Sequence, residues 1–234
     1  MAVYSDQHRY IFFANPQTAS KAIALTLRKK LDGKALPDHE IKRNGKLVAR
    51  MHHTTYSQIL AAGLLSRGEL ERLFKFTCVR NPFDQLVSKY IKHCARLMDN
   101  PARYPWLEGA QATAPDNSFP QWLAYLSRTY EETDKLARGP LEFLAHADMV
   151  IRFEALQDGF DESLRHMGIK DRLSVTEFNV TQGRADSAEA VALPDAKPAK
   201  KKKNYTEFYD TACIAMVEKL YEPILKQFNY SFGH

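Results

Sequence analysis

Two segments of the chain pass from an apolar run to a helix start within a few residues, and nothing else constrains the fold as much. The first is Phe12-Phe-Ala-Asn-Pro-Gln-Thr-Ala-Ser-Lys-Ala-Ile23. The second is Phe74-Lys-Phe-Thr-Cys-Val-Arg-Asn-Pro-Phe-Asp-Gln-Leu-Val-Ser-Lys-Tyr90. Each reads as a buried strand, a tight turn and an amphipathic helix. A third strand is expected over Met149–Phe153, followed by a helix over Glu154–Met167. Strands alternating with helices predict an α/β fold, a largely parallel central sheet flanked by helices, a layout that P-loop-type domains share with other α/β folds. No repeat or shift in composition divides the 234 residues, so one domain over 1–234 is expected, with long loops at 100–120 and 174–203 above the ligand side.

Between these landmarks the signals are weaker. Helices are expected over Thr18–Lys30, with a basic last turn closed by Asp32-Gly33, and over Pro82–Met98, where Asn81 can cap and Pro82 suits the first turn. Asn44-Gly45 suggests a hairpin within Ile41–Arg50. His52–Leu65 and Gly68–Leu73 have partly helical character, Phe119–Leu136 is helical, and Tyr205–Phe228 reads as one long helix bent at Pro223.

A strand feeding a helix N-terminus is suited to an anion, because the first helical N–H groups lack intrahelical acceptors and carry the positive end of the dipole. Two such cradles suggest a ligand with two anionic groups. The first lacks glycine, but Ala19 and Ser20 are small enough to let an anion approach the backbone. An ordinary connection with Thr18 as N-cap explains it equally well. In the second, Arg80 ends its strand where open α/β sheets bind ligands. Its planar fork and the hydroxyl of Ser88 suit phosphate oxygens. A salt bridge from Arg80 to Asp84, with Ser88 merely packing, is the alternative.

The second segment resembles the 3′-phosphate-binding segment of sulfotransferases that use 3′-phosphoadenosine 5′-phosphosulfate (PAPS), in particular their carbohydrate (family 2) branch, with its Val-Arg-(Asp/Asn)-Pro-aromatic-x-Arg-Leu-Val-Ser-x-Tyr pattern. Asn15-Pro-Gln-Thr-Ala-Ser-Lys-Ala-Ile23 is similar to the family's 5′-phosphosulfate loop. His52-His-Thr-Thr-Tyr56, Ile151-Arg-Phe-Glu-Ala-Leu156, Phe178-Asn-Val-Thr181, Tyr205-Thr-Glu-Phe-Tyr209 and Phe228-Asn-Tyr-Ser-Phe232 agree with further segments in order, so the resemblance spans nearly the whole chain.

The resemblance implies transfer of a sulfuryl group from PAPS to an acceptor hydroxyl or amine of a carbohydrate or other small molecule, leaving PAP, with a histidine base and no metal. Arg80 and Ser88 would hold the 3′-phosphate. Pro16, Gln17, Thr18, Ala19, Ser20, Lys21 and Ala22 would hold the 5′ side, and Lys203, in the run Lys200–Lys203, would close over the nucleotide. His53 is the expected base, with His52 the alternative; both would otherwise be polar residues at a helix start. Glu154 can cap its helix, pair with Arg152 or line the acceptor site. Tyr104, Trp106 and Trp122 can form an acceptor platform or simply pack. Two departures bear on catalysis. Gln17 stands where the family usually has lysine, and Lys21 where it usually has threonine, so Lys21 is expected to lean back into the loop and partly replace the missing charge. Gln85 also replaces a frequent arginine. A relative that binds PAP or PAPS with little turnover is the competing reading.

Composition narrows the classes further. The formal net charge of +5 favours an anionic ligand, but no motif supports nucleic-acid binding. A nucleotide kinase would need the Gly-Lys-Ser/Thr signature that the first turn lacks. No signal peptide or membrane-spanning run is evident, and three cysteines without metal or redox spacing fit a cytoplasmic protein. The oligomeric state stays open.

Overall fold

The computed structural model describes residues 2–99, 118–133, 140–175 and 204–233. The expected loops at 100–120 and 174–203 lie largely outside these residues, as do Tyr104, Trp106 and Lys203. The central sheet has five strands: β1 (Ala2–Ser5), β2 (Tyr10–Phe13), β3 (Lys34–Leu36), β6 (Phe74–Val79) and β7 (Met149–Arg152). Their order is β3-β1-β2-β6-β7. β2, β6 and β7 pair in parallel, while β1 runs antiparallel to both β2 and β3. Four of the five strands therefore share one direction, as an α/β chain of this pattern requires. A separate hairpin joins β4 (Ile41–Arg43) and β5 (Lys46–Ala49). Its turn residues Asn44 and Gly45 have φ of 50° and 73°, the left-handed pair that the Asn-Gly signal predicts.

Strand β2 is short but wholly buried, and its alternation splits the core between the two faces of the sheet. Tyr10 and Phe12 join Phe76, Ile151 and the apolar stripes of α1 (Ser20–Lys30) and α7 (Leu156–His166). Ile11 and Phe13 point to the other face, among residues of α2 (Tyr56–Ala62), α3 (Arg67–Glu71) and α6 (Pro140–Ala145). Gly159 on α7 lets that helix lie close to β7, since a Cβ there would stand 2.7 Å from Ile151 Cγ2. A third apolar cluster is built by α4 (Pro82–Asp99), α5 (Phe119–Thr133), α8 (Thr211–Leu220) and α9 (Glu222–Phe228). Trp122, 3% exposed, belongs to this cluster, so it packs and forms no acceptor platform.

The structure departs from the sequence expectations in three places, one being α6 over Pro140–Ala145, where no helix is expected. Strands β1 and β3 were not expected; four and three residues long, they are too short to carry a period. The single helix over Tyr205–Phe228 is instead a 3₁₀ turn (Tyr205–Phe208) followed by α8 and α9. Asp210 caps α8 by accepting the Cys213 N–H at 2.7 Å, and Pro223 cannot donate the backbone bond that would continue α8 through Tyr221. Among the described residues, no helix is long and apolar enough to cross a membrane.

Candidate anion-binding site at the sheet edge

The register of the parallel strands brings the two predicted turns together. Phe13, the last residue of β2, lies opposite Thr77 of β6. The Thr77 hydroxyl donates to the Phe13 carbonyl at 2.7 Å, and Asn15 Nδ2 donates to the Cys78 carbonyl at 2.9 Å. Both chains thus leave the same end of the sheet side by side.

The first turn is held by its own polar side chains. The hydroxyls of Thr18 and Ser20, both buried, donate to the Asn15 carbonyl at 2.8 and 2.7 Å. Thr18 therefore does not cap α1. The N-cap is Ala19, in left-handed conformation (φ 57°), and no side chain caps the helix. The first turn of α1 carries no acidic residue. Its leading amides up to Lys21 lack intrahelical acceptors, whereas the N–H of the buried Ala22, expected in the cradle, donates to the Ala19 carbonyl at 2.9 Å. Gln17 is also left-handed, at φ 63°. Asn15 is 2% exposed, and its Oδ1 has no hydrogen-bond partner. Apart from the Asn15 oxygen, which calls for a donor, these features fit an anionic group: an uncapped, positively polarised helix start with no carboxylate in its first turn.

The second turn supplies charge. Arg80 Nε and Nη2 donate to Asp84 Oδ2 at 2.8 and 2.5 Å, and Nη1 donates to the Gln17 carbonyl at 3.2 Å. The guanidinium also stacks over Phe153, 4.1 Å from the ring centre. These bonds engage three of its five N–H donors. The salt bridge weighed as the alternative for Arg80 is therefore present, and so is a direct link from Arg80 to the first turn.

Helix α4 then runs past the first turn. Gln85 Nε2 donates to the Pro16 carbonyl at 2.7 Å, and Lys92 Nζ donates to Gln17 Oε1 at 2.6 Å. Ser88, half-buried, falls between them on the same helical face. Lys21 is exposed, and Lys92 brings an ammonium into contact with Gln17 from α4. Burial, then the charges of Arg96, Arg80 and Lys21, lower the pKa of Lys92. Three other cations thus act on Lys92, and Asp84 is paired with Arg80.

His53 reaches the same sheet end. Its Nδ1 is 2.8 Å from the Ala14 carbonyl, where β2 gives way to the turn. A carbonyl only accepts, so Nδ1 carries the proton and Nε2 is left as a basic lone pair. The residue meets solvent, yet surrounding protein removes enough water to pull its pKa down to about 4, so it is neutral at pH 7. Its φ of 56° is left-handed as well. His52 is exposed and makes no comparable contact with β2.

Sequence reasoning missed the supports of the second turn. Glu154 does not cap its own helix but braces the second turn. Its Oε1 accepts the Asn81 N–H at 2.9 Å and its Oε2 the Tyr230 hydroxyl at 2.7 Å. Asn81 Nδ2 donates to the Ser231 carbonyl at 3.0 Å, while Asn81 Oδ1 caps α4 by accepting the Phe83 N–H at 3.1 Å. The chain's end is in this way tied to the turn at Arg80, which gives the closing Phe228–Phe232 segment a structural reason. The spacing Gln85, Ser88, Lys92 was a readable signal of a polar stripe on α4.

The model of the sulfotransferase family matches residues 2–231. No curated protein and no solved structure matches the chain significantly. With the match running from the first strand of the sheet to the segment that braces Asn81, the chain belongs to the sulfotransferase family, whose chemistry is sulfuryl transfer.

Proposed function

We propose that the chain transfers a sulfuryl group from PAPS to a hydroxyl or amine of a carbohydrate or other small acceptor. The observation that carries this reading is the pair of turns at one sheet end, a bare helix start beside a guanidinium, joined by the Arg80, Gln85 and Lys92 contacts to Pro16 and Gln17. PAPS supplies the activated sulfate, and its 3′-phosphate and 5′-phosphosulfate match two anion cradles. The amides from Gln17 to Lys21 receive the 5′ group, with charge arriving from α4. Arg80 and Ser88 receive the 3′-phosphate; Arg80 has two N–H donors left for it, and Asp84 and Phe153 fix its plane. A fixed array of donors at the 5′ side stabilises charge that grows on the leaving phosphate oxygen.

His53 acts as the base. Its bond to Ala14 orients the ring, its low pKa keeps it unprotonated, and Nε2 accepts the acceptor's proton. Calorimetric titration with PAP tests the nucleotide site. The wild type should bind, and Arg80→Ala should weaken binding by more than about tenfold, since a charged hydrogen-bond donor is removed. A wild type that does not bind PAP overturns the assignment. Binding of PAP with no sulfate transferred to any of a broad panel of sugars, phenols and amines would instead favour a nucleotide-binding relative without turnover.

A further inference from the structure

Lys92 ends on a neutral amide. Its Nζ lies 2.6 Å from Gln17 Oε1, although it is half-buried. An ammonium has only donors, so the Gln17 carbonyl oxygen must face it, and the Gln17 NH₂ group, with two N–H donors, must face away from it. The lysine therefore settles the orientation of the glutamine amide and polarises it as a donor. The backbone at Gln17 is left-handed and its carbonyl is held by Arg80, so the side chain leaves the turn in a fixed direction. The surroundings of Lys92 are cationic. Arg80, Arg96 and Lys21 lie near enough to disfavour its charge, and burial disfavours it further. The carboxylate of Asp84 on the same helix is committed to Arg80. A half-buried ammonium bonded to an uncharged amide gains no counter-charge from that bond, and an anion beside Gln17 would supply one.

We infer that Lys92 is a positioning residue for the first cradle, supplying its positive charge from helix α4 through the side chain of Gln17, so that Gln17 and Lys92 together bind the 5′ anionic group of the nucleotide. The inference rests on the reading of the site as a PAPS site. It assigns the charge of the 5′ side to a residue that enters from the helix of the 3′ side, which ties the two halves of the ligand to one helix.

The test is a set of titrations with PAP, 5′-AMP and 3′-AMP. Lys92→Met and Gln17→Ala should each weaken PAP and 5′-AMP by about tenfold to a hundredfold, the worth of a charge-assisted bond, and change 3′-AMP by less than about twofold. The exchanged double variant, Gln17→Lys with Lys92→Gln, should regain most of the lost 5′-AMP affinity, because the ammonium then stands on the turn itself. A purely structural lysine would weaken 3′-AMP as much as 5′-AMP and would not be rescued by the exchange. Should Lys92→Met fold poorly, Gln17→Ala and the exchanged variant carry the test alone. Unchanged 5′-AMP binding in Gln17→Ala, or an exchanged variant no better than Gln17→Ala, overturns the inference while leaving the PAPS site standing. Failure of the wild type to bind PAP overturns both.

Discussion

The two cradles lie side by side on one sheet and are built in opposite ways. The first is strained, and it folds back on itself before α4 bonds it at Pro16 and Gln17. Gln17 and Ala19 are both left-handed, as is His53, which bonds to its base, and each such residue with a Cβ costs about 1–2 kcal/mol. Its internal bonds span only three to five residues, from Thr18 and Ser20 back to Asn15. The second has no left-handed residue between Val79 and Lys92 and is capped conventionally by Asn81. Its support comes from afar, from Glu154, Tyr230 and Ser231. Strain of this kind persists where the surrounding fold over-determines it, and it gathers where backbone must meet a ligand or reacting atoms. On the proposed reading, the contrast puts the first cradle at the chemistry and the second at the holding of the nucleotide.

The largest expected effect breaks that division directly. His53→Ala should lower kcat by about 10²- to 10⁴-fold, the usual worth of a general base, while leaving PAP affinity nearly unchanged. Arg80→Ala should do the reverse and lose affinity first. The pH profile sharpens the same point. His53 works only when unprotonated, so activity is lost as pH falls through its pKa. With that pKa down to about 4, the acid limb of kcat/KM should lie well below the ordinary histidine value near 6.5. The same shift costs stability in acid, because the unfolded chain takes up its proton first as pH falls from 6.5 towards 4. An acid limb at 6.5 that survives in His53→Ala would remove His53 from the chemistry.

A smaller effect probes the second cradle. Glu154→Ala leaves the buried Asn81 N–H and the Tyr230 hydroxyl without their acceptor, at about 1–3 kcal/mol each. The expected loss is about 2–5 kcal/mol in denaturant unfolding, together with weaker binding of 3′-AMP. Glu154→Gln keeps one oxygen for Asn81 and offers an N–H to the phenol oxygen, so it should cost less than about 1 kcal/mol. Equal losses in both variants would mean that the carboxylate charge, rather than the hydrogen bonds, holds the turn.

The parts legible in the sequence were the local ones. The strand–turn–helix order, the Asn81-Pro82 start of α4 and the Asn44-Gly45 hairpin depend on neighbours a few residues apart, and periodicity and turn chemistry report those. The core strands β2, β6 and β7 were readable for the same reason. What joins the cradles was not. Asn81 to Ser231 spans 150 residues, Lys92 to Gln17 spans 75 and Asn81 to Glu154 spans 73. Such pairs follow from the register between β2 and β6 and from the side of the sheet on which α4 lies, and one sequence carries neither. Gln85 illustrates the gap. As a departure from the family's arginine it had no evident role, whereas in the fold its amide bonds the Pro16 carbonyl. Lys21 illustrates the converse: it was the nearest lysine to Gln17 in sequence, and Lys92 reaches Gln17 in space.

The smallest expected effect is one of sign. Ala19→Gly removes a Cβ from a left-handed position and relieves about 1–2 kcal/mol of strain, but it also frees the unfolded chain by about 0.5–1 kcal/mol. The net gain should be between zero and about 1.5 kcal/mol, seen as a higher denaturant midpoint at unchanged slope. The matching change in the second cradle, Asn81→Gly, should move stability the other way by about 1–2 kcal/mol, because it deletes both the cap on Phe83 and the bond to Ser231. If strain in the first turn serves the chemistry, Ala19→Gly should also lower kcat while the protein becomes more stable, since the donors around the 5′ group would no longer be fixed in place. A destabilised Ala19→Gly would show that the Ala19 methyl group packs usefully and that the strain is offset on the spot. A stabilised variant with undiminished kcat would show that the strain serves no catalytic purpose, and the contrast between the two cradles would then be one of architecture alone.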